Sequence, residues 1–234
     1  LVVSDVGSMP EYFLSCRIVT MRLADALVHL ESVGFAMPRL CGANLTEEAA
    51  ALFPPPWWDK DRKHHICSNH LRFYLGHFPI LADHRRAIFL DDDILVKRDP
   101  GELHGIELRP NVLLTVNCVV NFWNSNCRRF DAARTNLAHF FNQTTPAPNA
   151  FSSLLQVMED AGAPPFNGDS SEWNFGLNVL NLDLHRELKF SAMYERLAIA
   201  MLERRLVRAD SLFYGLGPAL LAYQGRVECY SDVG

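Results

Sequence analysis

The sequence lacks long apolar runs, clusters of basic residues and closely spaced cysteine pairs. Its apolar stretches are strand-sized, whereas a membrane-spanning helix needs about 20 consecutive apolar residues. The net charge of −5 and the absence of a Lys/Arg run give no reason to expect a nucleic-acid partner. The six cysteines include no C-x-x-C pair, which argues against a structural zinc site. There is also no internal repeat and no low-complexity tract, which argues against a repeat architecture.

The composition is that of a globular domain with a substantial core. Of the 234 residues, 49% are hydrophobic and 21% are charged, so we expect one domain over residues 1–234. Two glycosylation sequons, at Asn44 and Asn142, and an even cysteine count are compatible with a secretory lumen. The sequence opens on Leu1, Val2 and Val3, as an internal strand would. We therefore expect the natural protein to begin upstream.

Apolar segments of strand length alternate with segments of helical periodicity. We predict strands over 1–4, 87–90, 112–116 and 175–182, and helices over 11–21, 67–78, 131–141, 151–161 and 191–207. Residues 26–33 fit either a helix or a strand. In the last helix, Met193, Leu197 and Met201 should face inward and Glu195 outward. This alternation predicts an α/β fold, a Rossmann-like α/β/α sandwich around a mostly parallel central sheet.

A run of three aspartates directly follows the predicted strand 87–90. Ligands of open α/β sheets bind at the carboxyl ends of strands. Because side chains alternate along an extended chain, Asp91 and Asp93 should point to one side and Asp92 to the other. Two carboxylates on one side suit a hard divalent cation, Mn²⁺ or Mg²⁺. The alternative is a solvated acidic turn that ends the strand, although three adjacent like charges repel one another.

Three segments resemble conserved motifs of one enzyme family. They are S-N-H-L-R-F-Y-L at 68–75, L-D-D-D-I-L-V at 90–96, and N-F-G-L-N-V-L-N-L at 174–182, the last followed by Arg186. Together they resemble glycosyltransferase family eight, in particular its plant galacturonosyltransferase-like branch. The segment 212–216, L-F-Y-G-L, is a weaker match. In this alignment the segment 1–5 resembles the second strand of the nucleotide-binding half, and 26–33 a third strand.

The resemblance implies a GT-A fold, a UDP-sugar donor, Mn²⁺ or Mg²⁺, a glycan acceptor and retention of anomeric configuration. By position, Asp91 and Asp93 would ligate the metal, and Asp92 would face the ribose side of the nucleotide. Arg72 would lie near the donor diphosphate or sugar. Asn174 would contact donor sugar hydroxyls and is the candidate catalytic residue. A divalent metal suits this chemistry because it neutralises charge on a diphosphate leaving group without a proton donor.

Simpler structural roles stay open for the remaining motif residues. Gly176, a candidate substrate-binding position, allows close backbone approach either to a ligand or to a neighbouring element. Arg72 could be an ordinary arginine on a helix surface, and Asn174 could cap a loop. Asn178 and Asn181 alternate with apolar neighbours and could be polar strand residues with satisfied hydrogen bonds.

The sequence also departs from the family pattern. Phe175 is bulky where a small residue is usual, which bears on the shape of the donor-sugar pocket. The first nucleotide-binding strand and the closing segment with a third metal ligand and a lysine have no counterpart here. We therefore expect residues 1–234 alone to bind donor weakly. The resemblance further implies a type II membrane protein of the Golgi lumen, with a possible transferase partner subunit.

Two other functions remain as alternatives. A haloacid-dehalogenase-like phosphohydrolase also places Asp-x-Asp after a strand. Its motif opens the domain, however, whereas here about 90 residues precede Asp91. The second alternative is a non-catalytic protein with the glycosyltransferase fold that acts as a scaffold for an active transferase.

Overall fold

The computed structural model describes residues 2–3, 20–36, 70–91, 95–96, 99–117, 150–168, 175–204, 206 and 213–230. Its strands are β1 (Val2–Val3), β2 (Thr20–Met21), β3 (Arg86–Leu90), β4 (Leu114–Asn117), β5 (Leu177–Asn181) and β6 (Val227–Tyr230). Its helices are α1 (Leu23–Ser32), α2 (Gly101–His104), α3 (Ala150–Ala161), α4 (Leu182–Glu187), α5 (Phe190–Glu203) and α6 (Phe213–Tyr223). Two 3₁₀ helices, Arg72–His77 and Pro79–Leu81, precede β3.

Four of the strands form a mixed sheet in the order β3-β5-β4-β6. Strand β5 is antiparallel to both of its neighbours, and β4 is parallel to β6. Strands β3, β4 and β6 therefore all point the same way, and only β5 is reversed. The predicted α/β fold is confirmed, but the described four-stranded sheet is mixed rather than mostly parallel, because two of its three strand pairs are antiparallel. The other pair, β1 and β2, is parallel.

One face of the sheet and the helices share a single apolar core. Leu114 and Leu180 contribute to it from adjacent strands, and both are almost fully buried. Helix α5 packs against α3, α4 and α6, and the 3₁₀ helix Arg72–His77 packs against α4 and α5. The largest fully buried side chains of the described residues include Phe73, Tyr74 and Tyr194. These aromatic side chains hold the 3₁₀ helix Arg72–His77 in the core, so that Arg72 lies near the carboxyl end of β3.

Most of the predicted elements in the described part of the chain are present. Strands β1, β3, β4 and β5 and helices α3 and α5 lie within about two residues of their predicted positions, apart from the end of α5 at Glu203. Within 67–78, residues 70–71 are helical and residues 72–77 form a 3₁₀ helix. The motif at 212–216 leads into α6. Predicted helix 131–141 and both sequons, at Asn44 and Asn142, lie outside the described residues.

Three sequence-based expectations are wrong. Residues 26–33 are not a third strand, because Ala26 and Leu30 are buried one helical turn apart in α1. The predicted helix 11–21 does not extend to its end, since Thr20–Met21 pairs with β1. Glu195 does not face outward: it is 8% exposed and accepts hydrogen bonds from the Tyr74 hydroxyl and the Ala36 amide. A carboxylate that receives two donors can be buried where helical periodicity alone predicts exposure.

No helix among the described residues is long and apolar enough to span a membrane.

Candidate functional site

Two of the sequence motifs meet at the carboxyl end of β3. Leu90, the last residue of the strand, lies opposite Leu177 at the start of β5. One residue further on, the Asp91 amide donates a 2.8 Å hydrogen bond to the carbonyl of Gly176. The Asp91 side chain is 32% exposed, so its carboxylate faces an open edge of the sheet. The antiparallel register thus brings the acidic motif and the N-F-G motif together.

Arg72 lies at the same edge and contacts both motifs. Its Nη2 donates to Asp91 Oδ1 at 3.1 Å, and its Nη1 donates to the Phe175 carbonyl at 3.3 Å. The guanidinium carbon lies 4.3 Å from the centre of the Phe89 ring, a cation–π contact. The Arg72 side chain is only 11% exposed. It is therefore not an ordinary arginine on a helix surface.

The charges at this edge are partly balanced within the protein. Burial lowers the pKa of the Arg72 guanidinium, and the Asp91 carboxylate opposes that shift. An arginine stays protonated in proteins, so the pair is a cation beside a half-buried anion. The ion pair fixes the orientation of Asp91 and leaves part of its carboxylate accessible. Such an oriented carboxylate fits a hard divalent cation, since oxygen is the ligand atom that Mn²⁺ and Mg²⁺ prefer.

The bulky residue of the N-F-G motif lies in the core. Phe175 is 5% exposed, and its ring contacts those of Phe73 and Tyr223 at centroid distances of 5.7 Å and 6.0 Å. Its carbonyl, not its ring, faces Arg72. Gly176 is buried, and its carbonyl accepts from Asp91. Gly176 therefore has a defined role in joining the two motifs through its backbone.

Two buried histidine–tyrosine pairs lie in the core. His70 Nδ1 is 2.7 Å from the Tyr194 hydroxyl, and His185 Nε2 is 3.2 Å from the Tyr223 hydroxyl. Burial, with smaller effects of nearby His77 and Arg186, lowers the pKa of His185 to about 3. Burial also raises the pKa of the Tyr223 hydroxyl well above its usual value. At neutral pH His185 and Tyr223 are therefore both uncharged.

Arg186, which follows the third motif, lies at the opposite end of β5, where its hydrogen bonds stabilise the fold. It donates to the carbonyls of Gly76, Leu81 and His84 at 3.1, 2.7 and 3.0 Å. It also pairs with Asp183 in its own helix. These contacts attach α4 to the 3₁₀ helices rather than reaching the acidic motif.

The structure brings three of the six predicted site residues together. Arg72, Asp91 and Gly176 converge at the end of β3, whereas Asp92, Asp93 and Asn174 lie outside the described residues. Among the residues that the structure describes, no group of three or more His, Cys, Asp or Glu side chains could hold a metal ion. The metal assignment therefore stays a prediction.

Sequence reasoning missed Phe89 altogether and considered Asn178 only as a strand residue with satisfied hydrogen bonds. Phe89 provides the ring on which the guanidinium stacks, and Asn178 donates to the same Phe175 carbonyl as Arg72. The signal for Phe89 was an aromatic residue two positions before Asp91. The signal for Asn178 was an amide in the middle of an otherwise apolar strand.

Comparisons with known proteins agree with the motifs. The chain is 28% identical over 195 residues to probable galacturonosyltransferase 13 of Arabidopsis thaliana, covering 81% of this chain and 31% of that protein. It is 27% identical over 194 residues to probable galacturonosyltransferase 14 of the same plant, covering 80% and 31%. It is 30% identical over 149 residues to probable galacturonosyltransferase 4, covering 63% and 20%. The chain thus spans less than a third of the length of these relatives.

No solved structure matches the chain. The sequence profile of glycosyl transferase family 8 matches residues 59–222, which is more than half of the 234 residues and includes all three main motifs. The GT-A fold implied by the motifs is the fold of this family, and the mixed α/β sheet agrees with it. The chain belongs to glycosyl transferase family 8.

Proposed function

We propose that this chain is the catalytic part of a retaining glycosyltransferase that moves a hexose or hexuronic acid from a UDP-sugar to a glycan acceptor. The observation that carries the proposal is the convergence of Arg72, Asp91 and Gly176 at the carboxyl end of β3. The names of the relatives, which are probable galacturonosyltransferases, support the same class of reaction.

Each site residue has a proposed task. Asp91 and Asp93 bind Mn²⁺ or Mg²⁺, which supplies positive charge for the leaving diphosphate. Asp92 faces the ribose side of the nucleotide. Asn174 acts as the catalytic candidate by contacting donor sugar hydroxyls.

Arg72 and Gly176 complete the donor site. Arg72 places a fixed positive charge beside the diphosphate, in a site where little reorganisation is needed. Its contacts with Asp91, Phe89 and the Phe175 carbonyl support this because they hold the guanidinium in one orientation. Gly176 lets the backbone approach the donor closely.

The decisive experiment measures UDP binding by titration calorimetry, in the full-length protein with saturating Mn²⁺. Asp93→Asn should weaken UDP binding by roughly 100-fold and leave the fold intact, because a charged ligand contact is worth about 1.5–3 kcal/mol. The matched control is Asp83→Asn, an exposed aspartate before the other end of β3, which should bind UDP normally. Unchanged UDP affinity in Asp93→Asn would refute the metal assignment.

Turnover is tested separately by a screen of UDP-sugars with and without Mn²⁺. Metal-dependent release of UDP from one sugar donor would support an active transferase. UDP binding without turnover of any donor would instead support the scaffold role.

We also propose that the full-length protein is anchored as a type II membrane protein in the Golgi lumen, where a transferase partner subunit could join it. A full-length fusion that colocalises with a Golgi marker would support this setting, and a cytosolic one would overturn it.

A further inference from the structure

Asn178 is a buried amide on the apolar face of β5. It is 2% exposed and lies directly opposite Phe89 on β3 and Val116 on β4. Its Nδ2 donates to the carbonyl of Phe175, three residues earlier. Its Oδ1 is buried and has no hydrogen-bond partner in the described part of the chain. The buried Oδ1 destabilises the fold, because on folding it loses its hydrogen bonds to water and gains no hydrogen bond within the protein.

Asn181, the other asparagine of β5, differs from Asn178 in its hydrogen bonds. Asn181 uses both ends of its amide: Nδ2 donates to the Val112 carbonyl at 3.3 Å, and Oδ1 caps α4 by accepting from Leu184 at 3.1 Å. Asn181 therefore has a structural explanation, and Asn178 lacks one of the same kind. What distinguishes Asn178 is the carbonyl that it binds.

The Phe175 carbonyl links Asn178 to the candidate site. It also accepts from Arg72 Nη1, whose other nitrogen pairs with Asp91. The next carbonyl, that of Gly176, accepts from the Asp91 amide. The Phe175–Gly176 turn is thus held by Asn178 from the core side and by Arg72 and Asp91 from the site side.

We propose that Asn178 is a positioning residue, which fixes the Phe175–Gly176 turn so that Arg72 and Asp91 are correctly placed for the donor. This inference rests on the proposed function and adds a residue to it. Asn174, the catalytic candidate, immediately precedes Phe175 in the sequence. Asn178 acts through these residues and does not itself touch the donor. The unpartnered Oδ1 is the structural penalty that accompanies this positioning.

The test is Asn178→Leu in the full-length protein, since leucine has a similar size and removes the orphan acceptor together with the donor. The Phe175 carbonyl keeps Arg72 as a donor, so no new buried group is left unpaired. We expect an unchanged or higher Tm, but UDP affinity at saturating Mn²⁺ about tenfold weaker, as for other residues that support metal ligands. A core residue without a positioning role would leave the UDP affinity unchanged, and that result, whatever the Tm, would overturn the proposal.

Thr115→Val provides the matched control. Thr115 is 4% exposed, lies on the adjacent strand β4, and also has a buried oxygen without a partner in the described residues. It points to the opposite face of the sheet from Asn178, because it pairs with Val179. This variant should keep or raise the Tm without any loss of UDP affinity. An equal loss of affinity in both variants would overturn the proposal, since any change in the sheet would then have the same effect.

A second measurement needs no ligand. Hydrogen exchange at the Asp91 amide reports the bond to Gly176, and Asn178→Leu should speed it by about tenfold while the amides of β4 and β6 keep their rates. Unchanged exchange at Asp91 would overturn the positioning role. If wild type fails to bind UDP but exchange responds as expected, the proposed function is wrong and the positioning role stands. If Asn178→Leu does not fold, Asn178→Ala replaces it in both measurements, with the same expectations for affinity and exchange.

Discussion

The two ends of β3 and β5 each hold a partly buried arginine, and the two arginines have different partners. Arg72, at the site end, binds a half-exposed carboxylate, one carbonyl and the face of Phe89. Arg186 lies at the opposite end of these strands, where β5 leads into α4, and we call this the anchor end. It binds three backbone carbonyls and Asp183. Both arginines hold the same 3₁₀ helix, one from within it and one through the Gly76 carbonyl.

The difference shows how to separate a site arginine from a structural one. Backbone carbonyls are fixed by the fold and are not replaced when a ligand binds. An arginine that binds three of them therefore has a structural role. Asp91 Oδ1 can exchange partners, because its carboxylate lies at an open edge of the sheet. Arg72 is therefore positioned to interact with a ligand and Arg186 is not, although Arg72 lies within a recognisable motif and Arg186 follows one.

The largest expected effects come from replacing each arginine by methionine. Arg186→Met leaves the carbonyls of Gly76, Leu81 and His84 without this donor, and we expect a loss of about 3 kcal/mol in the free energy of unfolding. Arg72→Met removes the ion pair with the partly exposed Asp91 and the cation–π contact with Phe89, while the Phe175 carbonyl keeps Asn178 as a donor, and we expect a loss of about 1 kcal/mol. Urea unfolding of the full-length variants measures both.

UDP binding should rank the same two variants in the opposite order. Arg72→Met should weaken UDP affinity by about 30-fold, which corresponds to about 2 kcal/mol, whereas folded Arg186→Met should bind normally. Arg72→Lys should restore little of the affinity, because lysine cannot make the forked contacts or stack on Phe89 in the same way. Equal losses of binding in the two methionine variants would remove the distinction between the site end and the anchor end.

A smaller effect should appear in the pH dependence of stability, which the anchor end controls. His185 has a pKa of about 3 in the folded protein, against 6.5 for an ordinary histidine, because burial disfavours its charged form. Between those values the unfolded chain binds a proton that the folded chain does not. Stability is therefore full above pH 6.5 and falls as the pH is lowered towards 3. Going from pH 7 to pH 5 should cost about 2 kcal/mol from this group.

The measurement is the urea midpoint between pH 5 and pH 7. His185→Gln should flatten the slope, although it lowers stability at every pH by removing the contact with Tyr223. Burial also lowers the pKa of His77, which adds to the slope in the same direction. His104→Gln, at an exposed histidine, serves as the control. A wild-type midpoint that is flat over this range would show that His185 is not held neutral by burial.

The sequence was sufficient to predict features that depend on local pattern. It was not sufficient for features that depend on contacts between residues far apart in the chain. The apolar run before Asp91 was sufficient to place β3 and the acidic motif at its end. Arg72 was identified only through the family motif, since nothing in its local periodicity indicates that it lies beside Asp91, 19 residues away. The burial of Glu195 depends on Tyr74, 121 residues earlier. No pattern within a helix could have revealed that partner.

The smallest expected effect is that of Arg85→Ala, at the anchor end. Arg85 Nε lies 3.0 Å from Asp183 Oδ2, but the arginine side chain is 85% exposed. Water competes for such a pair, and holding a long side chain in one geometry costs conformational entropy, so the loss should stay below about 0.5 kcal/mol. Asp183 also keeps its contact with Arg186 through Oδ1. The Arg85 carbonyl, which accepts from the Leu182 amide, is unaffected by the substitution. Urea unfolding at low and high salt measures the effect, which should disappear at high salt. A loss as large as that of Arg186→Met would show that ion pairing to Asp183, rather than binding to the backbone carbonyls, holds the anchor end together.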